Sequence, residues 1–160
     1  MKTEEVEIVP PEGDQVIIGQ SHFIKTVEDL YEALTTSMPG IRFGVAFCEA
    51  SGKALIRLDG SDGALTELAR EYAGRIGAGH SFVIVLREAY PINVLSRVKG
   101  VEEVVNIFCA TSNPVTVVVA DSGKGRGIMG VIDGVPPKGV EGESDRKERH
   151  DFLRKIGYKR

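Results

Sequence analysis

Short apolar runs of strand length recur along this chain, and helical periodicity interrupts them at only four places. That alternation constrains the fold more than any other feature. "EEVEIV" and "DQVIIGQS" open the series, joined by the turn Pro10-Pro11-Glu12-Gly13. "TVEDLYEALTTS" follows, with Val27, Leu30, Tyr31 and Leu34 at the i, i+3, i+4, i+7 spacing of an amphipathic helix. Thr26 is its expected N-cap, with Asp29 three residues on resembling a capping box, and Pro39-Gly40 ends it. "IRFGVAFCE" and "KALIRLDG" read as two strands around Ala50-Ser51-Gly52. The second helix places Leu65, Leu68, Ala69, Tyr72, Ala73 and Ile76 on one stripe, with Ser61 or Asp62 as cap and Gly77 or Gly79 as stop. "HSFVIVLR" is a buried-type strand, and "PINVLSRVKG" a short helix with Pro91 in its first turn and Gly100 at its end. "EEVVNIFCATS", "VTVVVAD" and "RGIMGVID" are three more strands. Residues 134–143 form a turn-rich linker to a basic C-terminal helix, 144–156, whose narrow apolar stripe is Phe152, Leu153 and Ile156.

The order ββαββαβαβββα mixes hairpins with crossover helices. It implies one α+β (or irregular α/β) domain over residues 1–160, with a mixed β-sheet or two sheets and helices packed against them. A chain of 160 residues can bury a real core. The net charge of −3 offers no global positive field for nucleic acid or an anionic membrane. No apolar run reaches membrane-spanning length, and the acidic N-terminus is unlike a signal peptide, so the expected location is cytoplasmic. Cys48 and Cys109 each end an apolar run and neither sits in a CxxC pair, which predicts reduced, buried thiols.

"GKGRGIMG", residues 123–130, carries a G-x-G-x-x-G spacing. A dinucleotide loop needs a strand before the glycines and a helix after them, whose N-terminus holds the pyrophosphate. Here "VIDGVPP" follows, which starts no helix. A hairpin with Ser122-Gly123-Lys124-Gly125 at its tip is the better expectation. It is either a plain solvated turn or a flap whose Lys124, Arg126 and backbone at Gly127 meet an anionic group.

His22 lies in "GQSHFIKT", between a strand end and a helix start, where free N–H groups and the helix dipole favour anions. Ser21, Lys25 and Thr26 surround it. His80 lies in "GAGHSF", after two glycines that allow close backbone approach. Either histidine is equally a hydrogen-bonded structural residue, and His150 is a solvated one. No His-x-x-x-His or His-Glu pair suggests a metal. Asn106 interrupts an apolar strand and is expected to be hydrogen-bonded, to a histidine, a ligand or a backbone carbonyl. "ATSNPV", with Asn113, is a hairpin or a pocket edge. Tyr90 and Asn93 mark a helix start, where Tyr90 could stack on a base or complete a core edge. There is no P-loop, no kinase signature set and no GxSxG elbow.

"SHFIKTVEDLYEAL", "PGIRFGVAFCEASGKALIR", "GHSFVIVL", "YPINVLSRVKGVEEV", "ATSNPVTVVVAD" and "GRGIMGVIDG" together resemble the small prokaryotic, largely archaeal, family named adenosine-specific kinase. The resemblance covers nearly the whole chain. It implies binding of adenosine and AMP rather than ATP, a phosphorylated histidine steadied by an asparagine, and a homo-oligomer, with a trimer among the options. Both His22 and His80 lie in matching motifs. On that basis a histidine nitrogen would carry the phosphoryl group to adenosine, with Lys25, Lys124 or Arg126 neutralising charge and Asn106 or Asn113 orienting the ring. No cofactor is implied beyond Mg2+ as the ion phosphate transfer would call for. A non-catalytic adenosine or AMP sensor, and a structural subunit with its pocket unused, are the competing functions.

Overall fold

Three strands buried on both faces organise the molecule, a computed structural model that describes residues 1–160. The elements are β1 (Lys2–Ile8), β2 (Asp14–Ser21), α1 (Thr26–Ser37), β3 (Arg42–Cys48), β4 (Ile56–Gly60), α2 (Gly63–Ile76), β5 (Ser81–Arg87), α3 (Pro91–Lys99), β6 (Val104–Thr111), β7 (Val115–Asp121), β8 (Arg126–Asp133) and α4 (Glu143–Lys155). This is the expected order. A five-stranded sheet runs β4-β3-β5-β2-β6 and a three-stranded sheet β1-β7-β8.

Every neighbouring pair is antiparallel. Each helical crossover (β2–α1–β3, β4–α2–β5, β5–α3–β6) skips one place in the large sheet. The strands it joins run parallel, and the strand between them runs opposite. Of the expected alternatives, two antiparallel sheets are therefore the one realised.

Side-chain alternation divides the core. Val16, Ile18, Ala46, Val83 and Val85 face α2 and the small sheet, meeting Leu65, Ala69 and Ile76 from the helix and Val6, Val117 and Val119 from the strands. Ile17, Val45, Phe47, Ile84 and Leu86 point the other way, against Leu30 and Leu34 of α1 and Val94 and Val98 of α3. Strands β2, β3 and β5 read as continuous apolar runs because helices or a second sheet cover both their faces. Cys48 and Cys109 are buried free thiols; burial raises both, Cys109 to about 11.

Two connections differ from a local hairpin. Pro10 to Gly13 carry the chain from one sheet to the other: β1 pairs with β7, from Lys2↔Asp121 to Ile8↔Val115, and not with β2. β1 buries only Val6 and Ile8, as suits an edge strand, while β2 must enter the centre. "ATSNPV" likewise passes from β6, the edge of the large sheet, to β7, the centre of the small one.

Helix α2 is capped at both ends. Asp62 accepts from Leu65 N–H at 3.1 Å, and Gly77, at φ +59°, donates to the Ala73 carbonyl. Arg42 also binds Asp62 at 2.8 Å; with the Leu65 N–H it holds the carboxyl below the usual carboxylate range. Asp62→Ala should lower stability by about 1 kcal/mol, or about 2–4 °C in a thermal melt. The depressed folded-state ionisation means that this contribution is complete above the unfolded carboxylate range and disappears as pH falls through the folded one. The wild-type and Asp62→Ala midpoints should therefore converge in acid.

Candidate functional site

At one end of the large sheet, the end of β2, the end of β3 and the start of β5 meet at His80. Its φ of +62° lies in the left-handed region, which few side chains adopt. The conformation is held from both sides: the His80 N–H donates to the Cys48 carbonyl at 2.7 Å, and its own carbonyl accepts from Ser21 N–H at 2.9 Å. Gly79 permits the turn by its close approach to Ala50, which a Cβ there would meet at 3.0 Å. The half-buried imidazole stacks on Phe47, centroids 6.0 Å apart and planes 15° apart. Phe47 belongs to the layer under α1 and α3, so the ring lies on that face.

The residue immediately after β2, His22, is exposed, and its N–H donates to the Glu103 carbonyl at 3.1 Å. The chain then turns into α1. Thr26 does not cap this helix. The entry is a tight turn in which Thr26, Val27 and Glu28 donate to Phe23, Ile24 and Lys25. Thr26 is consequently already helical and buried, its hydroxyl against the Phe23 carbonyl and Ser21 Oγ. Ser21 is buried with it. The backbone N–H groups of Phe23, Ile24 and Lys25 find no acceptor in the chain. That is the arrangement in which a helix start accepts an anion.

Lys25 stands at this mouth. Its Nζ is 2.6 Å from Asp29 Oδ2 and 3.4 Å from Glu103 Oε1. Asp29 raises the ammonium's ionisation, while Lys25 holds the Asp29 carboxyl below its ordinary range. Glu103 is 2 % exposed, and neither of its carboxylate oxygens has a hydrogen-bond donor. Neither acid was among the expected site residues. Asp29 is legible as the i+4 partner of Lys25; nothing in the sequence distinguishes Glu103 from Glu102 beside it.

Asn106, on the edge strand β6, pairs with Gln20 of β2. It is exposed and makes no side-chain hydrogen bond. The expectation that it must be bonded fails because water, not core, surrounds it. Lys124 projects from the β7–β8 hairpin tip, where Ser122 N–H donates to the Gly125 carbonyl, as the glycine spacing predicts. Gly127 is exposed beside it. Arg126 is committed: it binds the Ile76 carbonyl at the end of α2, Glu4 at 2.7 Å and Asp121 at 3.5 Å.

Tyr90, Asn93 and Asn113 lie at the opposite end of the sheet. A cleft of about 650 Å3 opens there between the start of α3 and α4, lined by Gln15, Tyr90, Ile92, Thr111, Phe152 and Tyr158. Tyr90, Phe152 and Tyr158 are each about half exposed, so their ring faces are accessible. Asn93 caps α3 by accepting from Tyr90 N–H at 2.9 Å. Asn113 donates to Asp133 at 3.0 Å. The eight residues of β2 separate cleft from histidine by about 23 Å.

Small α+β proteins with two antiparallel sheets and free N–H groups at a helix start are the class that this fold and site define. Within that class the chain belongs to the adenosine-specific kinase family, whose model matches residues 6–159. It is also similar to the PH1918 protein from Pyrococcus horikoshii OT3, known from a crystal structure: 46 % identity, a TM-score of 0.95, and coverage of 99 % of this chain and 98 % of that one. No curated protein matches it. No helix is long and apolar enough to cross a membrane.

Proposed function

We propose that the protein binds adenosine and AMP and transfers a phosphoryl group to adenosine through His80. The observation that carries this is the backbone of His80, held in a rarely populated conformation by the ends of two strands. Such strain persists only where the surroundings enforce it, and it gathers at functional sites. In the transfer, a ring nitrogen of His80 forms a bond to phosphorus as the donor's bond to that phosphorus breaks and the donor leaves with the electron pair. An adenosine hydroxyl then takes the phosphoryl group, releasing its proton to solvent and freeing the imidazole. The free N–H groups of Phe23, Ile24 and Lys25 and the Lys25 ammonium would meet the negative charge. Mg2+ arriving with the donor's phosphates would share that work.

The nucleoside base fits the aromatic cleft. Tyr90→Ala should weaken adenosine binding about 10- to 100-fold in calorimetry, the loss of one stacked base; unchanged affinity would place the base elsewhere. Cleft and histidine are a strand length apart in one chain, so transfer needs the cleft of one copy beside the His80 of another. That is a head-to-tail contact, which closes into a ring such as a trimer. Helix α4 buries none of its residues, and Phe152, Ile156 and Val140 are exposed, apolar surface suited to such a contact. The same separation favours a second function, a nucleoside sensor without transfer. Intact mass spectrometry after incubation with phosphoryl donors separates the two: a phosphate-sized, acid-labile adduct on the His80 peptide supports transfer, and AMP binding without any adduct supports the sensor.

A further inference from the structure

Two carboxylates, Asp29 and Glu103, share a single cation, Lys25. Glu103 is the unusual member, 2 % exposed and with no hydrogen bond to either oxygen. Only the ammonium 3.4 Å away balances it. Lys25 is itself half exposed, on a flexible stem, and begins the turn whose backbone N–H groups are free. The cation therefore has two competing anionic places to be: inward on the acids, or outward over the helix mouth.

We propose that a phosphoryl group bound at the start of α1 draws Lys25 away from Asp29 and Glu103, and that this carboxyl pair then takes up one proton from solvent. The inference rests on the phosphate being bound at α1, as proposed above. Without the ammonium, two adjacent acids, one of them buried, cannot both keep a negative charge; a like charge and burial each favour the neutral form. A shared proton restores a hydrogen bond to the Glu103 oxygens that now lack one. No other cation pairs with Asp29 or Glu103, Lys99 at the end of α3 included. Arg97 on α3 lines the same groove as Asp29 and Glu32 but pairs with neither acid. Glu28 on α1 and Glu102 beside Glu103 are exposed acids, and His22 reaches Glu103 through its backbone only. AMP binding thus becomes linked to proton uptake, and adenosine, which brings no phosphate, leaves Lys25 in place.

Calorimetry of AMP binding to the full chain, in buffers of different protonation enthalpy, counts the protons. Wild type should take up about one proton more per AMP than Glu103→Gln, in which the buried charge is removed with its shape kept; titration of the phosphate itself cancels in that difference. Wild-type affinity for AMP should accordingly fall about tenfold more per pH unit of rise than that of the variant. Adenosine should show no difference between wild type and Glu103→Gln. Equal proton counts in wild type and Glu103→Gln, while Lys25→Ala still weakens AMP, overturn the linkage alone. AMP affinity unaffected by Lys25→Ala overturns both the linkage and the placement of the phosphate at α1.

Discussion

The His80→Ala protein is expected to lose phosphoryl transfer by a factor of about 10^4 to 10^6, the range seen when a covalent nucleophile is removed. Its adenosine affinity should fall far less than its transfer rate, because the base is held by Tyr90 and its aromatic neighbours rather than by the histidine. Histidine adopts φ +62° more readily than alanine, so His80→Ala is also expected to lose some stability, which must be separated from loss of function. Asparagine tolerates the left-handed region better than most side chains and retains the backbone bonds to Cys48 and Ser21. His80→Asn should therefore melt near the wild-type temperature and still be inactive. His22→Ala should keep most of the transfer rate, since this exposed ring makes no hydrogen bond and only the backbone N–H is tied to Glu103. Wild-type turnover in His80→Asn would exclude a covalent role for His80 and leave direct transfer from donor to adenosine as the route. The measurement is a single-turnover transfer assay run beside a thermal melt.

Gly44→Ala should destabilise the protein by about 3 kcal/mol or more, at or beyond the upper end of overpacking effects. Gly44 lies in the middle of β3, paired with Val85 on one side and Gly60 on the other. A Cβ there would stand 2.3 Å from the Leu65 carbonyl and the Thr66 nitrogen, both backbone atoms of the first turn of α2. The obstruction is not a flexible side chain, so relief requires the helix to move off the sheet. That would pull Leu65 and Ala69 out of the core. A fall of about 6–12 °C in the melting midpoint follows. Gly63→Ala is the control: a Cβ at Gly63 meets nothing within 4 Å, and its midpoint should hardly move. A similar loss in Gly63→Ala would show that contact with α2 does not set the effect, since backbone entropy by itself favours alanine over glycine.

The positions of all four helices and eight strands follow from local pattern, because each has a periodicity that survives without its neighbours. Asp62, Gly77 and Pro91 mark helix ends by chemistry that is local as well. The exclusion of a dinucleotide loop is of the same kind: "VIDGVPP" cannot begin a helix, and β8 does occupy that stretch. Thr26 shows where local pattern fails. It has the side chain of a cap, but Ser21 and the Phe23 carbonyl claim its hydroxyl once β2 and α1 are folded together.

Within the candidate site, the sequence determined the parts and the tertiary structure decided their company. His22, Lys25 and their helix start are neighbours in the chain, so their grouping was legible. His80 joins them through hydrogen bonds to Ser21 and Cys48, residues far away in sequence, and Glu103 comes under Lys25 by way of the turn into β6. Tyr90, Asn93 and Asn113 carry equally suggestive side chains, yet the length of β2 sends them to the far end. Arg126 is cationic on paper but is neutralised by Glu4 and Asp121 across the small sheet. Periodicity and capping act over a few residues, so sequence alone determines the elements. Strand order and pairing act over the whole chain, so only the folded structure decides which polar groups meet and which charges remain free.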